Sequence, residues 1–389
     1  MSLSTPDFDF ATAGRILFGA GVAARISAEA ATMGRRALLV CGRRTVPALA
    51  LGRRLEAEGM KWHIFSVAGE PEVEQVSQGA RMARDQRCDL VIGYGGGSAL
   101  DAAKAIAALA TNTRPVETYL EIIGRGRPLD RAPLPCIAVP TTAGTGSEVT
   151  RNAVLKSRDH QVKVSLRSPG MLPAVAVVDP ALTVDAPAHI TAATGCDALT
   201  QLLEAFVSTK ANALTDALCR EALGRAARAL PRVVARGDDL AARTEMSLAA
   251  LFSGLALANG GLGAVHGIAG PLGGMIEAPH GALCARLLPA AVAVNLEALA
   301  RRQPDGPALA RFDEAAQRML GRTDAGGVDL VAWLEQLSSQ LQIPSLRHWG
   351  FTSEAVPALV AKAKAASSMK GNPIPLSEEE LAKIVSQAM

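Results

Sequence analysis

Short apolar runs alternate with helical patterns along the first half of the chain. Strand candidates lie at residues 37–40, 62–67, 90–92, 136–139 and 175–178, and helical patterns at residues 49–58, 76–84 and 99–109 separate the first four. Strand–helix–strand units at this spacing require right-handed crossovers between parallel strands. The first half therefore predicts an α/β domain with a parallel sheet.

The second half changes to long helical periodicities that are rich in Ala and Leu. One helix is expected to open at residues 194–197, another covers residues 240–258, and Ser377 with Glu380 forms a capping box before the last. No convincing strand follows Pro187. We therefore predict an α/β domain over residues 1–186 and an all-α domain over residues 187–389.

Composition and charge exclude several classes of protein. The 389 residues are 49% hydrophobic and carry a formal net charge of +3, which excludes a disordered chain and gives no reason to expect nucleic acid or a membrane as partner. Residues 246–276 contain no Asp, Glu, Lys or Arg, yet Pro271 and several glycines interrupt them. This stretch therefore predicts a buried helix and a tight loop instead of a membrane span.

The cysteines and the first residues predict a cytoplasmic protein. The six cysteines are widely spaced and include no CxxC pair, which is typical of unpaired, buried thiols in a reducing compartment. Residues 1–9 contain Asp7 and Asp9 and lack the basic and apolar regions of a secretory signal.

A glycine-rich loop follows the strand candidate at residues 90–92. Gly95, Gly96, Gly97 and Ser98 precede a helical pattern, and glycines before a helix N-terminus let the backbone approach a phosphate closely. A second small, hydroxyl-rich loop, residues 140–148, follows the next strand candidate. Both loops would lie at the carboxyl edge of the sheet, where open α/β sheets bind nucleotides. Neither matches GxGxxG or GxxxxGK[ST], which disfavours an ordinary dinucleotide fold or P-loop.

Five segments in this order resemble the iron-containing (group III) alcohol dehydrogenase family, which has a dehydroquinate synthase-like fold. They are residues 15–19, 95–104, 140–148, 195–208 and 266–281. The resemblance implies an N-terminal domain that binds NAD or NADP. It also implies a helical domain with a divalent metal (Fe, Zn or Mn) that polarises the oxygen of a small-molecule alcohol or carbonyl substrate. A homodimer or higher homo-oligomer is expected as well.

The resemblance carries over a set of cofactor-binding residues. The glycine-rich loop would cradle the pyrophosphate, a set of threonines would line the cofactor, a lysine would reach its ribose and an aspartate would shape the loop. These residues are Gly95, Gly96, Gly97 and Ser98, then Thr141, Thr142 and Thr145, then Lys163, and Asp101.

The end of the first predicted strand bears on the choice between NAD and NADP. Relatives that prefer NAD usually carry an Asp there, which accepts hydrogen bonds from the ribose hydroxyls. This chain has Gly42, followed by Arg43 and Arg44. Arginines favour a 2′-phosphate that an acid would repel, so the sequence favours NADP(H). The alternative is that both arginines lie in solvent and either cofactor serves.

The family holds its metal with one Asp and three His, and this chain departs from that set. Asp197, His266 and His280 match three ligands, and the two histidines are the expected catalytic residues, but Gln201 replaces the remaining His. Helical spacing keeps Gln201 one turn from Asp197, although an amide oxygen is a poorer ligand than imidazole for Fe(II) or Zn(II). Gly270 also stands where relatives usually carry a His near the nicotinamide.

Three functions are compatible with these departures. The first is a metal-dependent dehydrogenase that uses Asp197, Gln201, His266 and His280. The second is a metal-independent NAD(P)H reductase of an oxo acid, similar to maleylacetate reductases, in which the two histidines bind the substrate. The third is a lyase of the dehydroquinate synthase type or a non-catalytic relative.

Overall fold

The computed structural model describes residues 7–160 and 162–389, which form two compact units. One unit is Thr12–Asp185. The other is Ala186–Met389 together with the described residues that precede Thr12.

The first unit is an α/β domain, as predicted. Its elements, in chain order, are β1 (Ile16–Phe18), α1 (Ile26–Met33), β2 (Arg36–Cys41), α2 (Val46–Ala57), β3 (Lys61–Ser66), α3 (Val73–Asp85), β4 (Leu90–Gly95), α4 (Gly97–Thr111), β5 (Cys136–Pro140), β6 (Asn152–Ser157), β7 (Val162–Arg167) and β8 (Val175–Val178). The five predicted strands correspond to β2, β3, β4, β5 and β8. Strand β1 was not predicted, because three residues are too few to show a pattern.

Six of these strands form one parallel sheet in the order β1-β8-β5-β4-β2-β3. The chain passes from β2 to β3 at one edge and then returns to the other side of β2 to form β4, so the strand order reverses between β2 and β4. Open α/β sheets bind their ligands outside the carboxyl ends of the strands at such a reversal. Gly42 and Gly96 follow the two strands at this point.

Both faces of the sheet are covered, which explains why its strands are continuous apolar runs. Leu38 and Val40 pack into one core with residues of α3 and α4, whereas Ala37 and Leu39 pack into a second core with residues of α1 and α2. Successive side chains of a strand point to opposite faces, so a strand buried on both faces shows no polar alternation.

Strands β6 and β7 form an antiparallel hairpin that the sequence analysis missed. Ala153 and Leu155 of β6, with Val164 and Leu166 of β7, join the core beneath α4. Between the two apolar residues of β6, Val154 is exposed. This period of two was the signal for a half-buried strand, but no Asn-Gly or Asp-Gly turn marks the hairpin.

The second unit contains nine α-helices and no strand in residues 186–389, in agreement with the prediction. The helices are α5 (Ala188–Val207), α6 (Ala213–Ala235), α7 (Leu240–Gly260), α8 (Ala264–Met275), α9 (His280–Arg302), α10 (Pro307–Leu320), α11 (Gly327–Gln340), α12 (Val356–Ala365) and α13 (Glu378–Ala388). The capping box of Ser377 and Glu380 is present at the start of α13.

The predicted start of α5 at residues 194–197 is wrong. The helix begins at Ala188, directly after Pro187. Gly195 lies inside this helix, and a Cβ atom there would lie only 2.4 Å from Cδ1 of Leu230. The glycine therefore allows close packing of α5 against α6 and does not mark a helix end.

Two helices of the described residues are long and apolar enough to cross a membrane, namely α7 and α9. In their most apolar windows, 61% of α7 and 72% of α9 are buried inside the protein. The apolar stretch 246–276 is divided between α7 and α8 by a break at Gly261. Helices α7 and α9 are therefore core helices of the second unit.

Candidate functional site

The two loops predicted to bind the nucleotide lie against each other. A Cβ atom on Gly97, the first residue of α4, would lie 2.7 Å from Oγ1 of Thr145, and one on Gly96 would lie 3.3 Å from Oγ1 of Thr142. The backbone N–H of Thr141 donates to the carbonyl oxygen of Gly95. A side chain at Gly97 would therefore collide with the loop of residues 140–148, here called the threonine loop, so the glycine lets this loop lie against the N-terminus of α4.

Asp101 and Lys104 join α4 to the second loop. Oδ1 of Asp101 accepts a 2.5 Å hydrogen bond from the Ser147 hydroxyl. Nζ of Lys104, which is buried, lies 3.2 Å from the same carboxylate oxygen and donates to the carbonyl oxygen of Ser147 and to Oγ1 of Thr150. Asp101 therefore shapes the loop through side-chain contacts, and Lys104 is a second positioning residue that the sequence analysis did not single out.

The remaining predicted cofactor residues differ in their surroundings. Nζ of Lys163 lies 2.5 Å from Oε1 of Glu70, so this lysine has a partner in the protein itself. Gly42 has open space where a side chain would extend, and Arg43 is exposed. Ser98 is half-buried in the first turn of α4.

Three predicted metal ligands converge in the helical unit. Nε2 of His266 lies 3.2 Å from Oδ1 of Asp197, and Nε2 of His280 lies 3.9 Å from the same oxygen. Sγ of Cys284 completes the group, and the four donor atoms lie within 4.8 Å of one another. We call these four residues the metal cluster.

Close helix packing brings the metal cluster together. Asp197 lies on α5, His266 in the first turn of α8, and His280 is the first residue of α9. A Cβ atom on Gly281 would lie only 2.0 Å from the carbonyl oxygen of Ala193. Only glycine at this position lets the start of α9 lie against α5, and this contact places His280 beside Asp197.

Glu204 contacts the metal cluster through Nδ1 of His266. It lies on α5, and its Oε2 atom is 2.6 Å from Nδ1 of His266, while Oε1 accepts a hydrogen bond from the backbone N–H of Val265. This carboxylate therefore binds the first turn of α8 and keeps the proton of His266 on Nδ1. Nε2, the other ring nitrogen, then faces Asp197 and is the nitrogen that a metal would bind.

Burial and neighbouring charges shift the pKa values of the cluster. Burial opposes the charged form of Asp197, but the hydrogen bond from His266 and the charge of His280 lower the pKa of Asp197 overall. Burial, with smaller contributions from the charges of Asp197 and Glu204, raises the pKa of the Cys284 thiol to about 11 although His266 opposes the shift. Without a metal this thiol is therefore neutral at pH 7.

Gln201 and Gly270 are the two positions at which the sequence departs from the pattern of the family that it resembles. Gln201 is buried on α5, one turn after Asp197, and its Oε1 atom accepts a 2.7 Å hydrogen bond from the Ser253 hydroxyl of α7. A Cβ atom on Gly270 would meet nothing within 4 Å. Space for a larger side chain therefore exists at Gly270.

Glu204 and Cys284 were not predicted from the sequence to belong to the site. Cys284 follows His280 by four residues, and Glu204 follows Asp197 by seven, so each shares a helix face with a predicted ligand. These spacings were visible, but only the packing of α5, α8 and α9 distinguishes these residues from ordinary core positions.

Two family models together match almost the whole chain. Residues 13–180 match the model described as iron-containing alcohol dehydrogenase, and residues 191–389 match that described as Fe-containing alcohol dehydrogenase family, C-terminal.

Comparison with individual proteins points to the same family as the two family models. The chain is 36% identical to 1,3-propanediol dehydrogenase of Citrobacter freundii, over 91% of this chain and 92% of that protein. It is 32% identical to NAD-dependent methanol dehydrogenase of Bacillus methanolicus, over 87% of each. The crystal structure of a 1,3-propanediol oxidoreductase superposes with a TM-score of 0.89 and 34% identity, over 99% of this chain and 100% of that one. The chain therefore belongs to the iron-containing alcohol dehydrogenase family.

Proposed function

We propose that this protein interconverts a primary alcohol and its aldehyde by hydride transfer with NAD(P), using a divalent metal bound by Asp197, His266 and His280. The convergence of these three side chains in one cluster is the observation that carries the proposal. One carboxylate oxygen and two imidazole nitrogens suit Fe(II), Zn(II) or Mn(II). When bound, such a metal supplies Lewis acidity to the alcohol or carbonyl oxygen.

The exposure of the cluster supports a catalytic use over a purely structural one. The side chains of Asp197 and His266 are 3% and 7% exposed, whereas that of His280 is 35% exposed. A closed structural metal site would be buried on all sides, and a catalytic site needs one open side. We infer that the substrate oxygen approaches at His280.

The N-terminus of α4 is the proposed pyrophosphate site. The first N–H groups of a helix have no partner within it and carry the positive end of its dipole. Gly96 and Gly97 leave these groups accessible, and Thr142 and Thr145 flank them. Asp101 and Lys104 hold the threonine loop in place, so we infer that they set the geometry of nucleotide binding without contacting the nucleotide.

A short, linear alcohol is the proposed substrate class. Two relatives that match most of the chain are named for 1,3-propanediol and methanol. Because their names differ in the alcohol, family membership alone does not choose among such substrates. For the cofactor, we infer a preference for NADP(H), since Gly42 lacks a carboxylate and Arg43 is exposed beside it.

We also infer that the protein acts in the cytoplasm as a homo-oligomer. All six cysteines are buried and free, which suits a reducing compartment. Light scattering coupled to size-exclusion chromatography measures the oligomeric state directly.

The proposed function is tested by alcohol oxidation assays in which NADH or NADPH formation is followed by absorbance. We expect activity with 1,3-propanediol or a similar primary alcohol, loss of activity after chelation, and recovery on adding metal. Activity that persists in chelator would instead support the metal-independent reductase.

His280→Ala provides the matched variant. We expect it to abolish turnover and to leave NADPH binding within a few-fold, since His280 lies in the helical unit and the proposed nucleotide residues lie in the other unit. Normal turnover in this variant would contradict every function that uses the cluster.

A further inference from the structure

Cys284 lies where a fourth protein ligand of a metal would lie. Its Sγ atom is 3.6 Å from Nε2 of His280 and 3.8 Å from Nε2 of His266. The residue is fully buried on α9, one turn after His280, so the two side chains extend from the same helix face. The thiol therefore points into the group of donor atoms and not into the apolar core.

Three of four donor-atom separations within the cluster lie within about 0.3 Å of those expected for tetrahedral ligands. Metal–nitrogen bonds of about 2.0 Å and metal–sulfur bonds of about 2.3 Å place tetrahedral N and S ligands about 3.5 Å apart, and N and O ligands about 3.3 Å apart. In the structure, the separations from Cys284 to His280 and His266 are 3.6 and 3.8 Å, and that from His266 to Asp197 is 3.2 Å. The distance from His280 to Asp197, 3.9 Å, is the longest of the four.

Gln201, the other candidate for the fourth position, has a different partner. Its amide oxygen is its only atom suited to a metal, and this atom accepts the hydrogen bond from Ser253. A thiolate is also a far better ligand than an amide oxygen for Zn(II), Co(II) or Fe(II).

We propose that Cys284 is the fourth protein ligand of the metal, bound as a thiolate, and that Gln201 is not a ligand. This inference rests on the proposed function, since it concerns the same metal, to which the substrate oxygen would add as a fifth ligand on the exposed side of His280. On metal binding the S–H bond breaks, its proton passes to solvent and the sulfur lone pair forms the metal–sulfur bond. No electron is transferred.

A thiolate ligand has two consequences. The carboxylate of Asp197 and the thiolate of Cys284 together neutralise the charge of a divalent ion, whereas a neutral fourth ligand would leave one positive charge. The soft sulfur also selects Zn(II), Fe(II) or Co(II) over Mn(II) and Mg(II). We therefore expect Mn(II), which an oxygen ligand would favour, to bind weakly.

The test uses the whole protein loaded with Co(II) after removal of its metal. A thiolate bound to Co(II) gives a ligand-to-metal charge-transfer band in the near ultraviolet, and amide, imidazole and carboxylate ligands do not. We expect this band in the wild type, in Gln201→Ala and in Cys219→Ala, a control that removes a buried cysteine of α6. We expect Cys284→Ala and Cys284→Ser to lose it.

Chelator competition provides a second measurement. Cys284→Ala should weaken Zn(II) binding at least tenfold, an effect on the order of that seen when a supporting residue of a metal site is lost, and Gln201→Ala should change it less than about threefold. A larger loss in Gln201→Ala than in Cys284→Ala would overturn the assignment, as would bound Co(II) without the band in the wild type. Absence of the band from the wild-type spectrum overturns the assignment even where a Cys284 variant fails to fold.

The Co(II) spectrum and the dehydrogenase assay together distinguish an incorrect ligand assignment from an incorrect proposed function. An active NAD(P)-dependent dehydrogenase whose Co(II) form lacks the band refutes only the role of Cys284. A Co(II) form that shows the band in a protein without dehydrogenase activity refutes the proposed function and leaves the ligand assignment in place.

Discussion

Oε2 of Glu204 lies 2.6 Å from Nδ1 of His266, and both side chains are buried. The contact joins the last turn of α5 to the first turn of α8 and aims Nε2 of His266 at Asp197. Glu204 is therefore a positioning residue for a ligand, since it does not belong to the metal cluster itself.

The first prediction concerns this contact. In Glu204→Gln the amide can donate its N–H to Nδ1, which moves the imidazole proton to Nε2 and blocks its lone pair. We expect metal affinity to fall about 10- to 100-fold while the fold is retained. Chelator competition measures the affinity, and Glu335→Gln, at an exposed position of α11, is the control. Equal affinities of the Glu204 variant and the wild type would show that the carboxylate does not set the tautomer.

The second prediction concerns the contact between the nucleotide loops. In Gly97→Ala the new Cβ would lie 2.7 Å from both Oγ1 and Cγ2 of Thr145, so the threonine loop must move. Overpacking of this kind costs about 1–3 kcal/mol, and we expect weaker NADPH binding by fluorescence titration together with a lower free energy of unfolding. Thr145→Ala removes both atoms, so the double variant should recover part of the loss of stability. Additive losses in the double variant would refute the steric explanation.

The third prediction concerns the choice of nucleotide. Gly42→Asp introduces a carboxylate into open space after β2, where it can accept hydrogen bonds from ribose hydroxyls and repel a 2′-phosphate. We expect the ratio of kcat/KM for NADPH to that for NADH to fall tenfold or more, because a hydrogen bond to a charged group contributes about 1.5–3 kcal/mol. An unchanged ratio would remove Gly42 from the explanation.

The two arginines after Gly42 provide an internal comparison for the third prediction. Arg44 donates to the carbonyl oxygen of Asp185 and lies 3.6 Å from its carboxylate, whereas Arg43 is exposed at the end of β2. Arg43→Ala should therefore raise the KM for NADPH more than Arg44→Ala does.

The fourth prediction concerns stability at acid pH. Hydrogen bonds from Arg220 to Glu314 join α6 to α10 and lower the pKa of Glu314 from its usual 4.5 to about 2. A carboxyl whose pKa is lower in the folded state stabilises the protein above its unfolded pKa, and this stabilisation is lost as the pH falls toward the folded pKa. Since both side chains are partly exposed, we expect Glu314→Gln to cost only about 1 kcal/mol at pH 7.

Urea unfolding measures the pH dependence of this effect. The difference between Glu314→Gln and the wild type should shrink as the pH is lowered from about 5 toward 2, because protonation removes the advantage of the carboxylate. Glu335→Gln should show no such trend. A difference that stays constant across this range would show that the glutamine variant acts through packing.

Local sequence patterns determined most of the secondary structure and, within the candidate site, the glycine-rich loop before α4. The apolar runs that became β2, β4 and β5, the glycines before α4 and the capping box at Ser377 all act over a few residues, so the sequence shows them directly. The positions of Asp197, His266 and His280 came from the resemblance to a family, since no local pattern marks them. The hairpin of β6 and β7 and the true start of α5 were missed, because core packing decides them.

Only the tertiary structure decided what surrounds these residues. Asp197 and His266 are separated by 69 positions in the chain, and Cys284, one of six scattered cysteines, reads in the sequence as an ordinary buried thiol. The packing of α5, α8 and α9, made possible by the glycine at position 281, turns that thiol toward the two histidines and gives Glu204 its partner. Sequence spacing reports which residues share one helix face, but contacts between helices depend on the packing of the whole unit.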